Sequence, residues 1–207
     1  MQEIINTGEN QSHSFEGGVH DEFAIIQLLT SFANSSGGSL FIGINKKGKI
    51  TGCNPKQIIE DVTYYINKYT KPNLYFESKT HQHGHKFVLE IIVPKSELPC
   101  QALDLNFKSN YYIRYKATTF KANKIIGRFL HLKYKISTES DLKLPAFNEQ
   151  LLSFIVSKTA GVTLSQIYSS HIDIKKNLDD SLSILLLKHL IRFEFEDNKC
   201  YYFANKS

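Results

Sequence analysis

No apolar run in the 207-residue sequence approaches the roughly 20 residues of a membrane-crossing helix; runs such as 184–187 and 87–93 fall far short. The opening MQEIINTGENQ lacks a basic segment followed by an apolar one, so no secretory leader is expected and the expected address is cytoplasmic. Cysteine is scarce. Cys53, Cys100 and Cys200 are isolated, no C-x-x-C occurs, and an odd count argues against a disulfide framework. All three are expected reduced and partly buried, and none has the sequence context of a catalytic thiol. No G-x-x-x-x-G-K-[ST] appears, which argues against a phosphate-cradling P-loop, and no cofactor is expected. Internal repeats and low-complexity tracts are also missing.

What remains is an ordinary globular composition, 42% apolar and 22% charged, with length for one large domain or two small ones. The net charge of +5 is unevenly spread. Residues 1–135 carry 17 Lys/Arg against 11 Asp/Glu, whereas 136–207 carry 8 against 9. Residues 105–138 hold eight basic side chains and no acidic one. Such asymmetry suggests a polyanionic partner for the first part. The stretch ISTESDLKLPAF breaks periodicity and reads as a linker, giving domains at 1–135 and 148–207 with a linker at 136–147.

In the first region, 21–34 reads as an amphipathic helix with Phe23, Ile26, Leu29 and Ala33 on one face. The glycines of Asn34-Ser-Ser-Gly-Gly38 stop it and turn the chain into a strand at 39–44, where Gly43 allows another backbone to come close. Asn45-Lys-Lys-Gly48 reads as a hairpin turn. Asn54-Pro55 starts a second helix with Ile58, Ile59, Val62, Tyr65 and Ile66 inward. Strands are predicted at 74–80, 86–93 and 111–116, with a turn at 81–85, and a helix at 122–133. The second region reads as helices at 148–158, 164–171 and 178–190, Thr163 capping the second, and then a hairpin turning at Asp197-Asn198. That is the layout of a winged helix-turn-helix.

Gly8-Glu9, Phe15, the block Ser-Phe-Ala-Asn-Ser-Ser-Gly-Gly-Ser-Leu-Phe-Ile-Gly-Ile at 31–44, Gly-Lys-Ile-Thr-Gly at 48–52, Lys71-Pro72 and Tyr-Tyr-Ile-Arg-Tyr-Lys-Ala-Thr-Thr at 111–119 occur in this order. With them the first region resembles the AlbA-like DNA-binding domain of Schlafen proteins and many bacterial regulators, over about residues 5–135. The resemblance implies an α+β fold with a small mixed sheet and two to three helices. It implies nucleic-acid binding as the usual assignment, nuclease activity in some Schlafen members, and a winged helix as a frequent bacterial companion.

The family's nucleases resemble metal-dependent enzymes in which clustered carboxylates hold Mg²⁺ or Mn²⁺, hard ions that prefer oxygen ligands. Two carboxylates lie five residues apart in the N-terminal segment, and a third lies near the end of the I-G-x-D strand. In this sequence Glu9 fits the first position, Ser14 stands at the second, and the third falls on Asn45 or Lys46. Glu16 substitutes only if the register slips by two, which keeps the same strand face. Glu9 and Glu16 are therefore the candidate catalytic residues, but with two of three positions lost no catalysis is expected. His81, His83 and His85 alternate and would share a strand face, as Zn²⁺ or Ni²⁺ ligands do. They sit at a hairpin tip beside Gly84, between Lys79 and Lys86, so a solvated turn and no metal are expected.

The basic stretch is the main candidate. Arg114 and Lys116 alternate along one strand; Lys121, Lys124 and Arg128 have helical spacing; Lys46, Lys47 and Lys49 add a basic turn. Tyr111, Tyr112 and Tyr115 interleave aromatics with charge. In the second region Lys175 and Lys176 open the third helix, but Asp179, Asp180 and the acidic hairpin residues Glu194, Glu196 and Asp197 oppose a phosphate backbone. The expectation is a non-catalytic nucleic-acid-binding protein, a transcriptional regulator of bacterial type. It would take DNA rather than RNA, associate as a homodimer and avoid membranes. A metal-dependent nuclease and a protein-interaction adaptor are the alternatives.

Overall fold

The computed structural model describes residues 2–135, 147–170 and 178–205. The linker expected at 136–147 lies outside them except for its last residue, as do Lys175 and Lys176. The chain divides into two compact units, Met1–Ala122 and Asn123–Ser207. Among the described residues no helix is long and apolar enough to cross a membrane.

The first unit is α+β, with α1 (Gln2–Thr7), β1 (His13–Glu16), α2 (Glu22–Ala33), β2 (Gly38–Ile42), α3 (Pro55–Tyr69), β3 (Thr70–Lys71), β4 (Glu77–His83), β5 (Lys86–Val93), β6 (Gln101–Leu103), β7 (Ser109–Tyr115) and β8 (Thr118–Lys121). One mixed sheet runs β1-β2-β5-β4, with β1 parallel to β2 and the other pairs antiparallel. A second, antiparallel sheet runs β3-β6-β7-β8.

Helix α2 contacts strands of both sheets. Its sequence EFAIIQLLTSFA buries every residue from Leu28 to Ala33, together with Ile25 and Ile26. A helix with so little polar face is stable only when covered on more than one side. The single apolar face expected from Phe23, Ile26, Leu29 and Ala33 is thus too narrow a description. Asp21 caps the start, its side chain accepting from the Ala24 N–H. Asn34 closes the end and is itself buried. Its Nδ2 donates to the carbonyls of Cys100 and Tyr112, and its Oδ1 accepts from the Cys100 N–H, each at 2.8 Å. One amide thereby ties the helix to β7 and to the residue that precedes β6.

Strand β5, KFVLEIIV, sends Leu89, Ile91 and Val93 into the core shared with α2 and α3. Val88, on its other face, joins Phe15, Phe41 and Ile44 under Ile4 and Ile5 of α1. Gly43, at φ +99°, lies where a Cβ would come within 3.0 Å of the Phe87 carbonyl, the close backbone approach its sequence suggested. Asn54 caps α3 through the Gln57 N–H, with Pro55 at the first helical position.

The second unit holds α4 (Lys124–Lys135), α5 (Phe147–Val156), α6 (Leu164–Ser169), α7 (Leu178–Leu187) and the hairpin β9 (Ile191–Glu196) to β10 (Lys199–Ala204). Thr163 caps α6 with a reciprocal Gln166 capping box. Asp197 and Asn198 both take positive φ, 46° and 59°, as a two-residue hairpin turn requires. Helix α4 belongs here rather than with residues 1–122. Ile125 lies in the same apolar cluster as Leu182 and Tyr202, and the Ser183 hydroxyl donates to the Ile125 carbonyl at 3.1 Å. The boundary therefore falls at 122/123, ahead of the sequence break at 136.

Candidate functional site

Glu9 lies two residues beyond the end of α1, and Glu16 ends the edge strand β1. Lys46 sits in the turn after β2, which Asn45 organises by accepting the Lys47 and Lys49 N–H groups at 3.0 Å each. This folding brings Lys46 Nζ to 3.0 Å from Glu9 Oε1 and 2.8 Å from Glu16 Oε1. Glu9 Oε1 also accepts from the Ser14 hydroxyl at 2.5 Å and the Phe15 N–H at 3.0 Å. Burial raises the Glu9 pKa, but those two hydrogen bonds and the Lys46 ammonium outweigh it, so the carboxyl lies below its ordinary value.

The donor set does not fit a divalent ion. The two carboxylates converge on an ammonium, Ser14 donates to Glu9, and the Asn45 oxygen is taken by backbone N–H groups. Among the described residues no group of three His, Cys, Asp or Glu is arranged to hold a metal. The histidines part company as well. Strand β4 extends through His83, so only Gly84 and His85 form the turn expected over 81–85. His81 Nε2 lies 2.7 Å from Glu90 Oε2, whose other oxygen accepts from the Ser39 hydroxyl at 2.8 Å. His83 and His85 instead line a surface depression of about 450 Å³ with Gln2, Ile5, Ile50 and Lys86. The cysteines are free thiols, and burial pushes Cys100 up to about 12 and Cys200 up to about 11. Neither is a thiolate near neutrality.

The basic residues are dispersed. Arg114 is 6% exposed and faces α2. Its Nε and Nη2 donate to the Asn10 carbonyl, Nη2 also to the His13 carbonyl, and Nη1 to the Thr119 hydroxyl, at 3.2–3.3 Å. Its guanidinium lies 5.3 Å from the Phe32 ring centroid. Lys116 does not share its face: it has left the strand at φ +54° and is exposed in the turn between β7 and β8. Tyr112 is a core residue. Lys121 ends β8, so it does not continue the helical face of Lys124 and Arg128. Those two lie on α4 in the second unit, paired with Asp179 and Asp180 respectively. Lys47 and Lys49 are exposed and have no carboxylate partner among the described residues.

The family model Schlafen, AlbA_2 matches residues 5–123. No curated protein matches the sequence. Solved structures that resemble the chain include the DIP2311 protein from Corynebacterium diphtheriae, at 17% identity over 56% of this chain and 26% of that one, with a TM-score of 0.42. They also include the N-terminal domain of an ATP-dependent DNA helicase RecG-related protein from Nitrosomonas europaea, at 22% identity over 52% and 71%, with a TM-score of 0.34. The match spans about a quarter of the Corynebacterium protein.

Proposed function

Taking as premise that this chain belongs to the Schlafen, AlbA_2 family, by a match over more than half its length, we propose that it binds DNA without cleaving it, through lysines on the turns of its first unit. The observation that carries the reading is the turn at 45–49. Asn45 fixes its backbone, and Lys47 and Lys49 are exposed on it with no carboxylate partner among the described residues. Lys116 on the β7–β8 turn and Lys121 at the end of β8 are the other exposed cations of this unit that we assign to phosphate. Arg114, with its donors committed to backbone carbonyls, serves the fold. Lys124 and Arg128, each tied to an aspartate, have less charge to offer a strand.

The absence of cleavage rests on Lys46. Its ammonium occupies the point where the Glu9 and Glu16 carboxylates meet, and it supplies internally the positive charge that a catalytic ion would bring. For the second unit we propose a winged-helix-like module with a role in regulation. Its helices followed by a hairpin support that reading. The exposed Glu196 and Asp197 at the hairpin tip favour a protein surface, including a second copy of this chain, over phosphate.

The test is retention of a labelled oligonucleotide by the full chain across salt. Direct phosphate contact gives a log–log loss of affinity close to one unit of slope for each lysine engaged, so four contacts give a slope of about −3 to −4 on duplex. Salt-independent retention, or none at low salt, overturns the reading. Cleavage with Mn²⁺ that is lost in Glu9→Ala restores the nuclease alternative.

A further inference from the structure

The two most exposed large apolar side chains among the described residues are Leu105 and Phe107, at 76% and 65%. They stand two residues apart on the loop joining β6 to β7. This loop is tightly tied. The Asp104 N–H donates to the Lys108 carbonyl at 3.1 Å, and the Phe107 N–H to the Asp104 carbonyl at 2.8 Å. The Asp104 carboxylate accepts from the Asn106 and Lys108 N–H groups at 3.0 and 2.9 Å, and from Asn110 Nδ2. Asn110, itself buried, also donates to the Lys108 carbonyl at 2.9 Å.

Within this frame Phe107 takes φ +56°, a left-handed conformation that bulky side chains rarely adopt. A strained backbone that its surroundings hold in place, carrying an aromatic ring kept out of the core, is poorly explained by stability. The charge around it is positive. Lys108 is exposed on the loop. Strand β8 runs antiparallel to β7, which brings Lys121 back to the end of the sheet where the loop lies. The loop's one carboxylate, Asp104, is occupied by the turn's own N–H groups and held below its usual range chiefly by the Lys108 N–H, with Lys121 contributing.

We propose that this loop binds single-stranded nucleic acid, Phe107 stacking on an unpaired base, Leu105 flanking it, and Lys108 and Lys121 meeting the adjoining phosphates. The proposal rests on the nucleic-acid reading above and specifies the form of polymer. An aromatic ring next to lysines recognises unstacked bases of any identity, because every base has a π-face. A protein partner fits less well: two side chains on a protruding tip offer far less than the roughly 800 Å² per partner of a stable interface. A paired duplex keeps its bases stacked and offers the ring no face.

The experiment measures binding of the full chain to a single-stranded oligodeoxynucleotide and to the blunt duplex of the same sequence. Phe107→Gly keeps the fold, because glycine adopts the left-handed conformation freely; its thermal midpoint stays at or above that of the parent. It weakens single-strand binding by about tenfold and leaves duplex binding unchanged. The chain has no tryptophan, so Phe107→Trp places a lone indole at the tip. Its emission is quenched by the single strand and not by the duplex, and its affinity matches the parent's. Equal single-strand affinity of parent and Phe107→Gly overturns the proposal, as does indole emission that ignores bound single strand. Both results leave the broader nucleic-acid reading standing. A parent chain that binds neither form overturns both.

Discussion

The guanidinium of Arg114 donates twice to the carbonyl of Asn10, through Nε at 3.3 Å and Nη2 at 3.2 Å, across 104 residues of sequence. The contact fastens the segment between α1 and β1 to the second sheet. Arg114→Ala leaves the Asn10 and His13 carbonyls short of donors and removes the cation over Phe32. It should destabilise the protein by about 3 kcal/mol in chemical denaturation. The folded fraction should still bind nucleic acid with parental affinity, since Arg114 supports the backbone and not the phosphate.

Asn34 makes a parallel case. Asn34→Ala strands the Cys100 N–H and the Cys100 and Tyr112 carbonyls in the core, at a cost of about 2–4 kcal/mol. The expected result is a lower denaturation midpoint with an unchanged dependence on denaturant. An effect below about 0.5 kcal/mol would mean that water or a shift of the chain replaces the amide.

The pH dependence of stability follows from Glu9. Its folded pKa lies below the ordinary 4.5. The unfolded chain therefore takes up the proton first as pH falls. The Glu9 contribution is complete above the unfolded value and is lost as pH drops through the lower folded value. Thermal midpoints of the parent and Glu9→Gln should differ most near neutrality and converge in acid. A gap that widens toward low pH would contradict this assignment.

Lys46→Met should raise the Glu9 pKa, because that carboxylate then loses the ammonium that helps hold it below its ordinary value. Titration of the glutamate side-chain carbons by NMR reads this directly. A value that stays put would mean that the Lys46 contact contributes little in solution.

Much of the first unit was legible because its elements carry local signals. The helical spacing of apolar residues over 21–34 marks α2 to within a residue at each end, Asn54-Pro55 marks the start of α3, and the strand expected at 86–93 is β5. Strand β4 was misplaced by three residues because ESKTHQH is exposed on both faces and has no alternation to read. Strands of two to four residues such as β1, β3 and β6 are too short to show a period, and the six-residue α1 buries none of its residues. Helix α4 reads in sequence as the end of the first region, yet its apolar side meets α7, far along the chain, where no local pattern points. The Lys46 bridge joins residues 37 and 30 positions apart, which no spacing rule connects. Arg114 did carry a usable sign: the two-residue period of β7 puts it on the same side as Tyr112, toward the core.

The account depends most on which lysines meet phosphate. Measuring the affinity of Lys47→Glu/Lys49→Glu/Lys116→Glu and of Lys124→Glu/Arg128→Glu for one oligonucleotide, between about 50 and 200 mM salt, separates the possibilities. The account predicts that the first variant loses most of the low-salt affinity and about three units of salt slope on duplex, while the second stays near the parent. A first variant that binds like the parent, with the loss falling on the second, would contradict it.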